Sequence, residues 1–251
     1  MNILVTGDQI LPESAIVISN HQSVADYLLL VYLSRTCGTI HPQTNFFTWY
    51  SLWRVPTIKT LLNMFRCDEN WELSKSWTDL IFKRVVTSEA PEWIVLFPEV
   101  NILTPATSYL QNLQSEKYYL PKFTEVLYPR FSGLQNASRA LNITSSEKFS
   151  KLYDLSINYS HKVSLLAIFS NAKSIEVKIH VRARNLNRFP QKRAKIEKWL
   201  EKVWIEKEKQ VHNMSFQQDQ PTGEILLVLD MPLTSIATTS SHLASNGWAN
   251  F

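Results

Sequence analysis

Residues 16–26 read IVISNHQSVAD, and the rest of the predicted fold is arranged around this short stretch. Its first three residues are apolar and of high strand propensity, and they lead into a polar loop that carries His21. Ser23 and Asp26 have the Ser-x-x-Asp spacing of a capping box, which predicts a helix over residues 24–33. We therefore predict a buried strand, then a loop, then a helix whose first turn holds Asp26.

The pair formed by His21 and Asp26 is suited to proton transfer if the two side chains touch. A histidine exchanges a proton near neutral pH, and a carboxylate on one ring nitrogen fixes the tautomer and stabilises the imidazolium. Five residues along a helix rotate a side chain by roughly 140°, so His21 must precede the helix for the two groups to meet. The alternative is that Asp26 only caps the helix and His21 is an ordinary loop histidine. The spacing alone favours this alternative.

Composition excludes several classes of protein. The 251 residues are 45% hydrophobic, enough for a substantial core in one large domain or one domain plus an appendage. The five glycines form neither a dinucleotide-binding pattern nor a P-loop. Cys37 and Cys67 stand far apart, which predicts no metal site, no disulfide framework and a reducing compartment. No apolar run of about 18 residues and no signal peptide is visible, so no transmembrane helix is expected.

Positive charge is concentrated in one segment. The net charge is +4, but residues 173–209 hold twelve Lys or Arg and five Glu, so the remainder of the chain is net negative. Such a stretch predicts contact with anionic phosphate, of lipid headgroups or of a cofactor, and the alternative is a solvated helix face. The aromatic-rich residues 45–64 predict an interfacial surface or an acyl groove, or else plain core.

Strands alternate with helices along the chain, which predicts an α/β fold with a mostly parallel, twisted sheet flanked by helices. Besides the first strand, we predict strands over residues 93–97, 125–128, 153–159, 165–169 and 175–181. Helices are predicted over residues 71–88, 109–117 and 134–141, with a long one opened by Pro190. Residues 1–15 are expected to be a turn and the entry to a strand.

Polar residues directly follow three of the predicted strands, and they are Asn20-His21, Pro98-Glu99 and Pro129-Arg130. Ligand sites in open α/β sheets lie at the carboxyl ends of the strands. If these strands are parallel neighbours, a base, a carboxylate and a cation converge on one edge. That composition suits moving an acyl group onto a hydroxyl beside a phosphate.

Three motifs together resemble the glycerolipid acyltransferase family of 1-acylglycerol-3-phosphate and lysophospholipid acyltransferases. They are Asn20-His21 with Asp26, Phe97-Pro98-Glu99, and Tyr128-Pro129-Arg130 with Gly133. The likeness is strongest to the eukaryotic branch of lysophosphatidylinositol and lysocardiolipin acyltransferases, of the fungal type. Further similarity lies at Asn70-Trp71, at His180 and Arg182, and around Trp204, so that the resemblance covers about residues 3–212.

The resemblance implies transfer of a fatty acyl group from acyl-CoA to the free hydroxyl of a lysophospholipid, in phospholipid synthesis or remodelling. His21 would be the general base and Asp26 would orient it. The other implied substrate-binding residues are Asn20, Ser23, Pro98, Glu99, Asn101, Pro129 and Arg130, with Arg130 assigned to phosphate. Acyl-CoA would be a co-substrate, with no bound cofactor, no metal and no nucleic-acid partner. The protein would work at the surface of an endomembrane, the endoplasmic reticulum, held peripherally or through N-terminal helices.

The chain departs from the family pattern at two positions. Val100 stands where the family usually has glycine, and valine takes a positive φ poorly and fills space that glycine leaves free. Glu69 stands where the family commonly has an arginine. Family members normally begin with membrane-spanning helices, so we expect the catalytic domain of a longer relative, naturally short or truncated. That domain would occupy residues 1–212, with a polar linker and tail at 213–251.

Two alternatives remain open on the sequence. The first is an inactive acyltransferase-fold module that binds membranes or lipids, and Val100, Glu69 and the missing anchors motivate it. The second is a hydrolase that uses water in place of the lipid hydroxyl.

Overall fold

The computed structural model describes residues 1–48, 51–54, 74–164, 175–215 and 225–230. Its strands are β1 (Asn2–Gly7), β2 (Ala15–Ser19), β3 (Gln43–Thr48), β4 (Ser51–Trp53), β5 (Glu92–Leu96), β6 (Lys151–Tyr159), β7 (Glu176–Asn185) and β8 (Ile225–Asp230). Its α-helices are α1 (Ala25–Thr36), α2 (Lys75–Thr87), α3 (Pro105–Tyr118), α4 (Ser132–Ala140) and α5 (Arg193–Asn213). A short 3-10 helix, Leu186–Arg188, follows β7.

The strands form one mixed sheet in the order β4-β3-β5-β2-β6-β7-β1-β8. Four neighbouring pairs are parallel: β3 with β5, β5 with β2, β2 with β6, and β7 with β1. The other three pairs are antiparallel. A sheet flanked by helices, with more parallel than antiparallel pairs, is the α/β class that the sequence predicts.

The core lies on both faces of the sheet, because every residue of the central strands β2 and β5 is buried. Val17 and Val95 pack in one apolar cluster with the residues of α1. Ile16 and Ile94 pack in a second cluster with residues of α2, α4 and α5. Strands buried on both faces have continuous apolar sequences, and this is why both runs could be predicted as parallel strands.

Two expectations about the strands are wrong. Residues 2–7 are not merely the entry to a strand: they form β1, which pairs in parallel with β7 along its whole length. The strand predicted over residues 125–128 is absent. Its backbone amides have a side-chain partner in place of a neighbouring strand, since Glu125 and Val126 both donate to the Glu208 carboxylate.

The remaining elements lie close to their predicted positions. The helix predicted over residues 24–33 extends to Thr36, and the long helix after Pro190 begins at Arg193. The apolar run of the predicted tail forms the edge strand β8, which pairs with β1, and the domain boundary at residue 212 stays a prediction. The strand predicted over residues 165–169, Cys67, Glu69 and Asn70-Trp71 lie outside the described residues. Among the helices that are described, none combines the length and apolarity needed to span a bilayer.

Candidate active site

The carboxyl ends of β2 and β5 bring His21 and Glu99 together. The two strands are parallel neighbours, with Ile18 opposite Leu96, so the chain leaves both at the same edge of the sheet. The backbone N–H of His21 donates to Glu99 Oε2 at 3.2 Å. The predicted meeting of a histidine and a carboxylate at this edge is therefore present.

His21 also contacts Asp26, as the spacing requires for a working pair. The distance from His21 Nδ1 to Asp26 Oδ2 is 2.9 Å, and both side chains are buried. The same carboxylate oxygen accepts the backbone N–H groups of Gln22 and Ser23 at 2.8 and 3.0 Å. The His21 ring stacks on Phe97 with centroids 4.3 Å apart. A carboxylate accepting from Nδ1–H leaves Nε2 as the nitrogen that can take a proton from a substrate.

Tyr159 completes the surroundings of Asp26, and the sequence analysis did not single it out. Its hydroxyl donates to Asp26 Oδ1 at 2.5 Å. Tyr159 is the last residue of β6, which is the parallel neighbour of β2 on the side opposite β5, so it lies at the same edge. Burial and the adjacent Asp26 carboxylate raise the pKa of the Tyr159 phenol well above its usual value, so it remains a donor. Only the strand order, which the sequence does not give, could have indicated it.

Glu99 is a buried carboxyl held at both oxygens. Oε2 accepts the His21 amide, and Oε1 accepts the indole N–H of Trp204 at 3.1 Å. Burial raises the pKa of Glu99 to about 8, although these hydrogen bonds and the nearby Lys207 ammonium act in the opposite direction. At neutral pH this carboxyl is therefore mainly protonated.

A buried cation lies behind Glu99. Lys207 Nζ is 2.5 Å from Asp154 Oδ1 and also donates to the Leu155 carbonyl. Arg182 and Arg184 reach the other oxygen of Asp154 at 3.2 and 3.3 Å. Burial lowers the pKa of Lys207, and Asp154 opposes that effect. The strand and helix patterns do not predict this network, because it joins β6, β7 and α5.

Asn20 and Ser23 have their polar side-chain atoms engaged within the protein. The Asn20 amide bonds to the backbone of Ile157 at both ends, accepting its N–H at 2.8 Å and donating to its carbonyl at 2.9 Å. Ser23 Oγ donates to the Val163 carbonyl at 2.7 Å and accepts the N–H of Ala25. These bonds fix the loop of His21 to β6 and to the segment after it. The predicted substrate contacts of both residues stay predictions.

Pro129-Arg130, the third predicted motif, lies at the site although no strand precedes it. The backbone N–H of Arg130 donates to the Pro98 carbonyl at 2.8 Å, which places residues 129–130 beside the end of β5. Arg130, Glu99 and Asn101 share the lining of a cavity of about 250 Å³. Pro98 and Pro129 are buried beside it. Glu99, Asn101 and Arg130 thus line one cavity, and Glu99 joins it to the His21 loop through the bond from the His21 amide.

Val100 adopts a left-handed backbone conformation, which favours glycine. Its φ is +68°, and its N–H donates to the Phe97 carbonyl at 2.9 Å. A left-handed conformation costs a residue with a Cβ roughly 1–2 kcal/mol, and a β-branched residue adopts it rarely. The turn after Glu99 therefore forms at an energetic cost.

A second and larger cavity lies on the other side of the histidine loop. It measures about 700 Å³ and is bordered by Gln22 and Tyr159, which both contact Asp26, and by Thr104 and Pro105 at the start of α3. In the described part of the chain, no cluster of His, Cys, Asp and Glu is arranged to hold a metal ion. The site thus combines the buried pair of His21 and Asp26 with the buried Glu99 and with Arg130, and one cavity lies at Gln22 and the other at Glu99.

This fold and site define a class: α/β proteins with a strand-end histidine and aspartate suited to general-base chemistry. Known proteins narrow the class further. The chain is 24% identical to a probable 1-acyl-sn-glycerol-3-phosphate acyltransferase of Arabidopsis thaliana over 79% of its length and 53% of the relative's. It is 22% identical to lysocardiolipin acyltransferase 1 of Gallus gallus over 83% of its length and 56% of the relative's. The chain is also 24% identical to an uncharacterized acyltransferase of Schizosaccharomyces pombe, over 82% of its length and 61% of the relative's.

All three relatives are named as acyltransferases, so the similarity supports the acyltransferase family that the motifs resemble. The chain spans a little over half the length of these relatives. No family model matches the chain. No solved structure matches it either.

Proposed function

We propose that this protein transfers a fatty acyl group from acyl-CoA to the free hydroxyl of a lysophospholipid. The observation that carries the proposal is the 2.9 Å contact between His21 Nδ1 and Asp26 Oδ2 at the carboxyl edge of the sheet. The acyltransferase names of the relatives supply the reaction class. The acceptor we propose is of the lysophosphatidic acid or lysophosphatidylinositol type, met at the surface of an endomembrane such as the endoplasmic reticulum.

In the proposed reaction His21 moves one proton. Nε2 takes the proton of the lipid hydroxyl as its oxygen attacks the thioester carbonyl carbon, and a tetrahedral intermediate forms. The carbon–sulfur bond then breaks, the CoA thiolate receives the proton from the imidazolium, and the new ester remains on the lipid. Asp26 stabilises the imidazolium between these steps, and no covalent bond to the protein is needed.

The proposed phosphate site is the cavity shared by Glu99 and Arg130. A carboxylate there would repel an anionic headgroup, but burial raises the pKa of Glu99 to about 8, which favours the neutral carboxyl at pH 7. Arg130 supplies the positive charge, and its guanidinium matches phosphate geometry. This arrangement supports an acceptor whose phosphate lies close to the reacting hydroxyl.

The proposal is tested by product analysis on the purified full chain. Wild type supplied with acyl-CoA and a lysophospholipid should release CoA and form the diacyl phospholipid in equal amounts. His21→Ala should lower the rate by roughly 10²–10⁴-fold, the range of general-base catalysis, because its base is gone. His41→Ala removes an exposed histidine and should leave the rate unchanged.

The other outcomes of this assay separate the alternatives. Release of free fatty acid without diacyl product would indicate a hydrolase. Absence of turnover in wild type, with lipid binding retained in His21→Ala, would indicate an inactive lipid-binding module. Full activity in His21→Ala would reject His21 as the base.

A further inference from the structure

Helix α3 exposes its large apolar side chains, while polar atoms of Gln111, Asn112 and Ser115 are buried on its inward face. Tyr109, Leu110 and Leu113 lie within about 100° of arc on the helix surface and are 64%, 59% and 47% exposed. We call these three residues the α3 stripe. Ser115, by contrast, is the residue of α3 that is fully buried. A helix oriented by the core of its own protein buries its apolar stripe, so this orientation is the reverse of the usual one.

The inward face of α3 contributes little favourable free energy through its contacts with the rest of the protein. Among the described residues, Gln111 Nε2, Asn112 Oδ1 and Ser115 Oγ are buried without a hydrogen-bond partner. Buried polar groups left unpaired cost free energy, and exposed leucines forgo the gain from burial. Apart from the Tyr128 N–H that Gln111 Oε1 accepts, the described contacts give the chain little internal benefit from turning the α3 stripe outward.

The outward face also lacks the charges of a water-facing helix. Residues 105–115 contain no Asp, Glu, Lys or Arg, and the charges begin only with Glu116 and Lys117 in the last turn. Solvated protein surfaces carry about a quarter to a third charged residues. Just past the helix, Tyr119 has φ +55° and is almost fully exposed, although a tyrosine gains nothing there from contact with the protein.

We propose that the α3 stripe is a membrane-docking surface that inserts into the headgroup region of a lipid bilayer. Exposed leucines flanked by tyrosines, with Lys117 at the end of the helix, match the chemistry of an interfacial helix. A second copy of this chain is a less well supported partner for the α3 stripe than a bilayer. Three side chains offer at most a few hundred Å² of contact, short of the roughly 800 Å² that each partner buries in a stable interface.

The position of the α3 stripe gives docking a consequence for the site, and this part of the inference rests on the proposed acyl transfer. The helix starts a few residues after Glu99, and the N–H of Leu103 between them donates to the His21 carbonyl at 2.9 Å. Leu110 also belongs to the lining of the cavity shared by Glu99 and Arg130. Docking through α3 would therefore place the mouth of this cavity at the membrane surface, where a lysophospholipid resides.

The test is sedimentation of the full chain with vesicles of neutral phosphatidylcholine. Leu110→Ser/Leu113→Ser should lower the partition coefficient by roughly tenfold or more, because two exposed leucines no longer enter the bilayer. The matched control is Leu80→Ser/Val86→Ser on α2, whose side chains are 61% and 50% exposed, and it should bind like wild type. Binding should persist in about 0.5 M NaCl, since salt screens contact through the basic segment but not apolar insertion.

A gain-of-binding variant and a soluble substrate complete the design. Leu110→Trp should bind more tightly than wild type, because Trp prefers the interface. Equal vesicle binding by wild type and the α3 double variant would overturn the proposal, as would no binding by wild type. If wild type self-associates in a concentration-dependent way and the α3 double variant does not, the stripe would instead be an interface with a second copy of the chain. Turnover of a short-chain lysophospholipid in free solution tests acyl transfer separately, and Leu113→Ser alone, at a residue outside the lining of the cavity shared by Glu99 and Arg130, should retain it.

Discussion

Glu99 offers a quantitative test of the electrostatics of the site. Replacing it with Gln keeps the shape and removes the titration, while the single amide oxygen of Gln can still accept one of the two N–H groups, of His21 or of Trp204. The loss of the other hydrogen bond is a constant offset in stability and does not depend on pH. Burial raises the pKa of Glu99 from its ordinary 4.5 to about 8 in the folded protein. The unfolded chain therefore ionises this group at a lower pH than the folded protein does.

The difference in the pKa of Glu99 between the folded and unfolded states sets the sign and size of the change in unfolding free energy with pH. Between about pH 4.5 and 8 the folded state binds more protons than the unfolded state, so rising pH destabilises the wild type. Each pH unit in this window costs about 1.4 kcal/mol, which gives an upper bound of about 5 kcal/mol by pH 8. Above pH 8 both states are ionised and the difference levels off. Glu99→Gln lacks this loss, so its stability relative to wild type should increase across the window.

The measurement is the free energy of unfolding by urea from pH 5 to pH 9 for wild type and Glu99→Gln. Glu89→Gln, at an exposed position, serves as the control and should run parallel to wild type. A difference between wild type and Glu99→Gln that stays flat with pH would refute the reasoning. It would show that Glu99 is ionised in the folded protein at neutral pH.

Three further substitutions test individual contacts. Val100→Gly should raise the unfolding free energy by about 1 kcal/mol, because glycine adopts φ +68° without strain, and chemical denaturation measures this. Tyr159→Phe leaves Asp26 Oδ1 without its donor and should cost about 1–3 kcal/mol of stability, with a lower kcat in the acyl-transfer assay. Lys207→Met should cost up to about 3 kcal/mol, because Asp154 Oδ1 loses its buried cation and only Oδ2 keeps Arg182 and Arg184, and Lys207→Met/Asp154→Asn should recover part of the loss in thermal unfolding.

Much of the fold was accessible from the sequence because the decisive strands are short apolar runs. β2 and β5 are buried on both faces, and such strands show themselves as continuous stretches of Ile, Val and Leu. β1 was missed because its six paired neighbours along β7 lie more than 170 residues away, and nothing local requires the pairing. The strand predicted over residues 125–128 failed for the opposite reason: its apolar pattern serves packing, while Glu208 satisfies its amides.

The candidate site likewise contains some contacts that the sequence predicts and others that it does not. The contact between His21 and Asp26 was predicted from the three strand-end motifs taken together, because the five-residue spacing alone permits the contact but favours a simple helix cap. The roles of Tyr159 and Lys207 could not be predicted. Tyr159 reaches Asp26 because of the strand order, and Lys207 reaches Asp154 because α5 packs on the sheet. The protonation of Glu99 depends on the depth of burial, which spacing alone does not reveal.

The central claim is that Asp26 acts through His21, and a double-mutant cycle on kcat/KM tests it most directly. In wild type, Asp26→Asn should lower kcat/KM for acyl transfer by about a hundredfold or more, within the range of general-base catalysis. In the His21→Ala background the same substitution should cause little further loss, because the base that it orients is already gone. An equal loss in both backgrounds would show that the two residues act independently and would contradict the account.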